Sequence, residues 1–165
     1  MRRQSGQATV EYAILTASIV VPVVFGLIYL AQMLWVWHSV NELTRDGARY
    51  AATHCWQAGG ANVVTYMRSH VPVMVDQDQF IAGSAEMVVN FFSRDPNSGA
   101  LTDFSCDTEC STACVPDTVT VRVANYQFRG FVGYLNLQPI TIPDFQTSAV
   151  IEGAGCDPEQ GSCTP

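Results

Sequence analysis

The sequence predicts an α+β protein in which one long N-terminal helix continues into a domain with a small antiparallel sheet. Three observations support this class. The stretch from Tyr12 to Asn41 contains no Asp, Glu, Lys or Arg, which is the pattern of a membrane-spanning helix. Later segments alternate apolar and polar residues, as half-buried strands do. All six cysteines follow the apolar stretch, which predicts disulfides in an oxidising compartment.

The apolar stretch is long enough to cross a bilayer. As a helix, Ala13 to Trp37 would extend roughly 37 Å, more than the hydrocarbon core of about 30 Å. Arg2 and Arg3 precede it, and the next arginine is Arg45. This asymmetry of positive charge predicts a cytoplasmic N-terminus and an exported C-terminal part.

Two residues inside the stretch predict a helix kink. Pro22 removes a backbone hydrogen bond, and Gly26 follows one turn later. We therefore expect the helix to bend or loosen between them.

A cleaved secretory signal peptide is an alternative interpretation of a basic start followed by an apolar run. However, the run is about twice as long as the roughly 7 to 15 apolar residues of such a signal. In addition, Glu11 stands at its cytoplasmic edge. Both features favour an anchor that is retained.

Composition argues against a nucleic-acid-binding protein and against an enzyme. The chain has a net charge of −7 and no lysine, so it lacks the basic face that phosphate neutralisation needs. It contains no Gly-x-Ser-x-Gly, His-Glu-x-x-His or glycine-rich phosphate loop. The histidines at 38, 54 and 70 are too widely spaced to form one site. We therefore predict neither catalysis nor a cofactor.

A short motif precedes the apolar stretch, with Gly6 followed five residues later by Glu11 and then Tyr12. Glycine lacks a Cβ, so it lets a scissile backbone enter a narrow protease site. A carboxylate near the membrane face needs a cationic partner. The pattern resembles the cleavage site of prepilin peptidases, and the Glu-Tyr pair resembles the tight-adherence (Tad, or Flp) pilus branch. The resemblance implies cleavage after Gly6, with Gln7 as the first mature residue and its free amine as the partner of Glu11.

A second segment, Val40 to Ala52, resembles the continuation of the anchor helix in TadE-like minor pilins. Its spacing predicts a helix with charged pairs at i,i+3, which are Glu42 with Arg45 and Asp46 with Arg49. Small residues on the opposite face would permit close approach by another element. That face comprises Val40, Leu43, Gly47, Tyr50, Ala51 and His54.

The exported part is expected to contain one short helix and three or four antiparallel strands. The helix is predicted at Ala61 to Ser69, and strands at Glu86 to Phe92 and Thr118 to Phe128. A last strand region, Pro139 to Glu152, is interrupted by Pro143-Asp144, which predicts a bend or an edge position. Because so small a sheet needs a helix over its apolar face, the continuation of the anchor is the expected cover.

The cysteines favour disulfides over a zinc site. Three of them recur every four residues in one loop, but no nearby histidine or fourth cysteine completes a zinc ligand set. Six cysteines allow 15 connectivities, which spacing cannot separate. Our preferred pairs join Cys156 to Cys163, and Cys55 to one member of the loop that contains Cys106, Cys110 and Cys114.

Asp95 to Gly99, with Asp103 beyond, has oxygen ligands at alternating positions, as calcium loops do. The glycine is one place early and no glutamate closes the loop, so we predict an ordinary turn.

These observations predict a prepilin leader at 1–6, an N-terminal transmembrane and amphipathic helix at 7–55, and an exported disulfide-containing domain at 56–165. By resemblance, the chain is a pilin-like minor pilin or pseudopilin of a Tad-type pilus. It would start in the bacterial inner membrane and reach the pilus or cell surface. The implied partners are the major pilin, other minor pilins, a prepilin peptidase, an inner-membrane platform protein and membrane lipid, with no nucleic acid.

Two other functions stay open at this point. One is a bitopic envelope protein whose exported domain binds a ligand or scaffolds a complex, without a filament role. The other is a secreted disulfide domain that has lost its apolar segment.

Overall fold

The computed structural model describes residues 4–130, 138–157 and 159–164, so Arg2 and Arg3 of the predicted leader lie outside the described residues. Helix α1 runs from Gln4 to Thr53. A 3₁₀ turn and two short helices follow, at Ala58–Gly60, Ala61–Ser69 (α2) and Asp78–Ile81 (α3). The strands are β1 (Glu86–Arg94), β2 (Leu101–Asp103), β3 (Thr118–Ala124), β4 (Gln127–Phe128), β5 (Ile140–Thr141), β6 (Phe145–Val150), β7 (Cys156–Asp157) and β8 (Ser162–Cys163).

The main sheet has four antiparallel strands in the order β2-β1-β3-β6. Val121 in the central strand pairs with Val89 of β1 and with Thr147 of β6. Strands β4 and β5 form one small ribbon, and β7 and β8 form another. The predicted α+β class is confirmed, and α2 has the predicted bounds.

The predicted strand from Thr118 to Phe128 is in fact two strands. Asn125 has φ of 60°, a left-handed conformation that Asn tolerates better than most residues, and it ends β3. The chain then leaves the main sheet and forms β4. At Pro143-Asp144 the predicted bend separates β5, in one ribbon, from β6, at the edge of the main sheet.

The C-terminal half of α1 covers the apolar face of the sheet, as expected. Its buried side chains pack in one core with those of β3. Gly47 lets the helix come close, because a Cβ there would lie 2.6 Å from the Met67 sulfur and 3.3 Å from a Val121 methyl group. The buried helix residues are Val36, Val40, Leu43, Thr44, Ala48 and Ala51.

All six cysteines are paired in disulfides. The bonds join Cys55 to Cys110, Cys106 to Cys114 and Cys156 to Cys163. The tail pair and the bond from Cys55 to the loop are the ones preferred from the sequence. With no free thiol left, these cysteines have no thiolate to offer to zinc.

The Asp95 loop is a turn closed by its own side chain. The Asp95 carboxylate accepts hydrogen bonds from the backbone N–H groups of Asn97 (2.7 Å) and Ser98 (3.2 Å). These bonds lower the pKa of Asp95. The chain reverses at Gly99, whose φ is 69°, so the ordinary turn describes this loop.

Candidate processing and assembly site

The predicted cleavage site lies in the first turn of α1. The helix begins at Gln4, so the bond between Gly6 and Gln7 lies within its first turn, and helix ends fray. Glycine also destabilises a helix by about 1 kcal/mol relative to alanine. Unwinding this turn to the extended form that a protease binds would therefore cost little free energy.

Gly6 is not required by the packing of this chain. A Cβ at Gly6 would meet nothing within 4 Å, and the same holds at Gly26. Gly47, by contrast, is enclosed by Met67 and Val121. Among the described residues, no contact would obstruct a side chain at position 6.

Glu11 and Tyr12 are both exposed on α1, and Tyr12 is 72% accessible. Among the described residues, the salt bridges are Glu42–Arg45 at 2.9 Å, Asp46–Arg49 at 3.8 Å and Arg122–Asp144 at 3.7 Å. The first two are the pairs expected from the sequence. Glu11 has no such partner within the described part of the chain.

The first half of α1 exposes apolar side chains on every side. The segment Ala8–Thr53 contains a window of mean hydropathy 2.4 that is not buried against the rest of the protein. By length and composition it is able to cross a membrane. Pro22 lies inside the helix, which continues through it, and Pro22 cannot donate a hydrogen bond to the Ser18 carbonyl. Whether the helix kinks at Pro22 and Gly26 stays a prediction.

The structure does not bring the predicted sites together. Glu11 and Cys55 lie near opposite ends of α1, about 65 Å apart by helical rise. The predicted processing residues therefore lie at the apolar end of α1, and the disulfides lie in the folded domain.

One arrangement near the end of α1 was not predicted from the sequence. His54 stacks on Tyr50 with ring centroids 3.7 Å apart, Tyr50 stacks on Tyr66 at 4.2 Å, and Tyr66 stacks on His70 at 4.2 Å. The signal was present, because both α1 and α2 end with a Tyr followed four residues later by a His. The stack holds α2 against α1.

Comparison with protein families identifies the N-terminal segment. Residues 6–49 match the model of the family described as TadE-like protein. This confirms the resemblance to TadE-like pilins. The match begins at Gly6, includes Glu11 and Tyr12, and ends at Arg49 before the sheet domain starts. Searches of curated proteins and of solved structures gave no significant match. The match over this segment indicates a protein associated with a Tad pilus, and the long apolar helix indicates membrane anchoring.

Proposed function

We propose that this chain is a minor pilin or pseudopilin of a Tad-type pilus, processed by a prepilin peptidase after Gly6. Its N-terminal helix would then assemble with other subunits to prime, cap or join the pilus. The observation that carries the proposal is the start of α1. Gly6, whose Cβ would meet no described residue, precedes Glu11, which has no ion-pair partner among the described residues. Both residues lie at the start of an exposed apolar helix.

The spacing supports a pairing role for Glu11. Residues four apart share one face of a helix, so a new amine at Gln7 would lie about 6 Å from Glu11 along the axis. A carboxylate drawn into the hydrocarbon core costs a few kcal/mol unless a cation neutralises it. The amine of the same chain or of the neighbouring subunit supplies that charge. Pairing between subunits sets the axial register, as buried polar residues do in coiled coils.

The exposed apolar side chains of α1 need cover in any final state. Lipid supplies it while the precursor is anchored in the inner membrane, with its N-terminus cytoplasmic and its domain exported. The helices of the major pilin and other minor pilins supply it after an inner-membrane platform protein has helped the subunit into the pilus.

Cleavage is tested by the intact mass of the chain purified from cells that contain the peptidase. We expect a mature protein that starts at Gln7. Gly6→Val is expected to reduce processing at least tenfold, because its side chain obstructs the approach to the scissile bond. Gly26→Val is the matched control, since both glycines have open surroundings on the same helix. An unprocessed wild-type chain, or equal processing of the two variants, would contradict the proposal.

A substitution of Glu11 separates the pilus function from the simple bitopic anchor. Glu11→Ala is expected to abolish incorporation into pili, measured by immunoblot of sheared filaments, while the chain still inserts into the membrane. A plain anchor would insert at least as well without the charge and lose no function. Glu42→Ala is the control on the same helix, because it removes only an exposed salt bridge worth less than about 1 kcal/mol. Normal incorporation of Glu11→Ala would exclude the pairing role.

A further inference from the structure

A groove lies between helix α1 and the folded domain, on the side where the helix leaves the apolar segment. Its volume is about 400 Å³. Gln32 and Val36 of α1 form one wall, and Met74, Asp76 and Arg129 lie on the domain side. The aromatic rings of Tyr29 and Phe128, 5.3 Å apart, hold the helix to the domain at this level.

The polar side of the groove is held in place by hydrogen bonds. Buried Gln79 donates to the Asp76 carboxylate (3.0 Å) and to the Gln127 carbonyl (2.8 Å), and it accepts from the Gln127 N–H (2.9 Å). The Tyr126 hydroxyl accepts from the Asp76 N–H at 2.8 Å. Burial raises the pKa of Tyr126, so its phenol stays neutral at pH 7. These bonds fix Asp76 at the groove.

Among the described residues, the two charged groups of the groove keep hydrogen-bonding capacity for a ligand. The Asp76 carboxylate accepts from the Asp78 N–H and from Gln79, and a carboxylate has about four acceptor positions in all, so two remain. Arg129 is exposed and forms no ion pair within the described part of the chain. One cation and one anion thus line the same groove without forming a salt bridge.

The groove lies at the depth of lipid head groups if Glu11 marks the cytoplasmic boundary. Gln32 is about 31 Å further along the helix, which matches a hydrocarbon core of about 30 Å. From Gln32 to Val36 the helix rises about 6 Å, close to the thickness of one head-group layer. On the domain side, Val73 is 100% exposed and Met74 is 50% exposed, so this loop presents apolar side chains where lipid would be.

We propose that this groove binds the head group of a zwitterionic phospholipid that carries a primary ammonium, with Arg129 on the phosphate and Asp76 on the ammonium. The proposal rests on the membrane-anchored state of the proposed function. Guanidinium–phosphate contacts are charge-assisted and geometrically specific. The lipid is favoured over a free anion because Gln32 and Val36 of α1 line the groove, and the apolar part of the same helix would contact the acyl chains in the anchored state. Bound in this way, the lipid would fix the domain against the membrane surface before assembly.

The test uses the full chain in nanodiscs of phosphatidylethanolamine, phosphatidylglycerol and phosphatidylcholine in equal parts, with retained lipid measured by native mass spectrometry. We expect phosphatidylethanolamine to be retained preferentially. Arg129→Gln should lower the retained lipid about tenfold, the effect of losing one charge-assisted contact. Asp76→Asn should keep the lipid but lose the preference for phosphatidylethanolamine over phosphatidylglycerol.

Arg94→Gln is the matched control, because Arg94 is an exposed arginine at the far end of β1 from the groove. Equal retention by Arg129→Gln and wild type, or an equal loss in Arg94→Gln, would overturn the site. If inorganic phosphate at equal concentration displaces the lipid, the groove is a site for free anions and the lipid proposal is wrong. Failure of the wild-type chain to stay in carbonate-washed membranes would instead remove the anchored state, and with it the proposed pilus function.

Discussion

At the scale of single residues, two glycines share a backbone conformation but differ in their surroundings. Gly155 and Gly161 have φ angles of 64° and 63°. A Cβ at Gly155 would collide with the carbonyl oxygen of Thr53 at the end of α1, whereas one at Gly161 would meet nothing within 4 Å. The tail approaches this closely because Cys55 N–H donates to the Thr164 carbonyl (2.8 Å) and Thr164 N–H donates to Gly155 (2.9 Å).

Alanine at these two positions separates backbone strain from steric collision. Gly161→Ala is expected to lower the free energy of unfolding by about 1 to 2 kcal/mol, the cost of a left-handed conformation for a residue with a Cβ. Gly155→Ala is expected to cost about 3 kcal/mol or more, because collision with a backbone atom adds to that strain. Urea unfolding of the full chain in detergent measures both losses. Equal losses would show that the tail does not pack on α1 as described.

At the scale of elements, a hydroxyl pair fixes α1 on the edge strand β6. Thr44 is fully buried, and its hydroxyl donates to the Asn41 carbonyl at 2.8 Å. The Thr147 hydroxyl of β6 lies 3.0 Å from it and is left to act as the donor in that contact. Thr44 can therefore lie on the buried face of the helix, because its hydroxyl and that of Thr147 are both hydrogen-bonded.

Removing one hydroxyl of this pair should cost more than removing both. Thr44→Val is expected to lower the free energy of unfolding by about 1 to 2 kcal/mol, because Thr147 then loses its acceptor. Adding Thr147→Val should recover about 1 kcal/mol of that loss, a coupling that a double-mutant cycle measures. Thr65→Val, at an exposed site on α2, is the control and should change stability by less than about 0.5 kcal/mol. Strictly additive effects would mean that the two hydroxyls are not in contact.

Periodicity and turn chemistry predicted the larger elements, but α3, β2, β7 and β8 were not predicted. The apolar stretch predicted α1, the spacing after Gly60 predicted α2, and Pro143-Asp144 predicted the division between β5 and β6. The break at Asn125 was missed, although Asn is a residue that adopts left-handed conformations. The pattern also changes phase there, because the apolar residues are odd-numbered up to Val123 and even-numbered at Tyr126 and Phe128, and a shift by one residue turns side chains to the other face of a sheet.

Contacts between residues that are far apart in the chain could not be predicted from the sequence. Thr44 was not assigned to the buried face, because its hydroxyl needs Thr147, which is 103 residues away. Asp76 and Arg129 line the same groove because Gln79 bonds both Asp76 and Gln127, and because the Asp76 N–H donates to the Tyr126 hydroxyl. Local patterns carry no information about such contacts, which arise from chain topology.

At the scale of the whole molecule, the disulfides connect the end of the long helix to the domain. The Cys55–Cys110 bond has a sequence separation of 55, while Cys106–Cys114 lies within one loop at a separation of 8. The same loop is joined to the end of α1 by hydrogen bonds from Cys110 N–H to the Trp56 carbonyl (3.0 Å) and from Ala58 N–H to Glu109 (3.0 Å). The long-range bond thus fixes α1 to a distant part of the chain.

Loop length predicts how much each of these disulfides stabilises the protein. In the chain-entropy model, a bond stabilises more when it closes a longer loop, which gives about 4 kcal/mol for a separation of 55 and about 2.5 kcal/mol for a separation of 8. We therefore expect Cys55→Ala with Cys110→Ala to lower the free energy of unfolding about 1.5 kcal/mol more than Cys106→Ala with Cys114→Ala. Denaturant unfolding of the full chain in detergent, followed by near-ultraviolet circular dichroism, measures the difference. A larger loss from the short-range pair would mean that the loop's local structure, and not its connection to α1, dominates the stability of the folded domain.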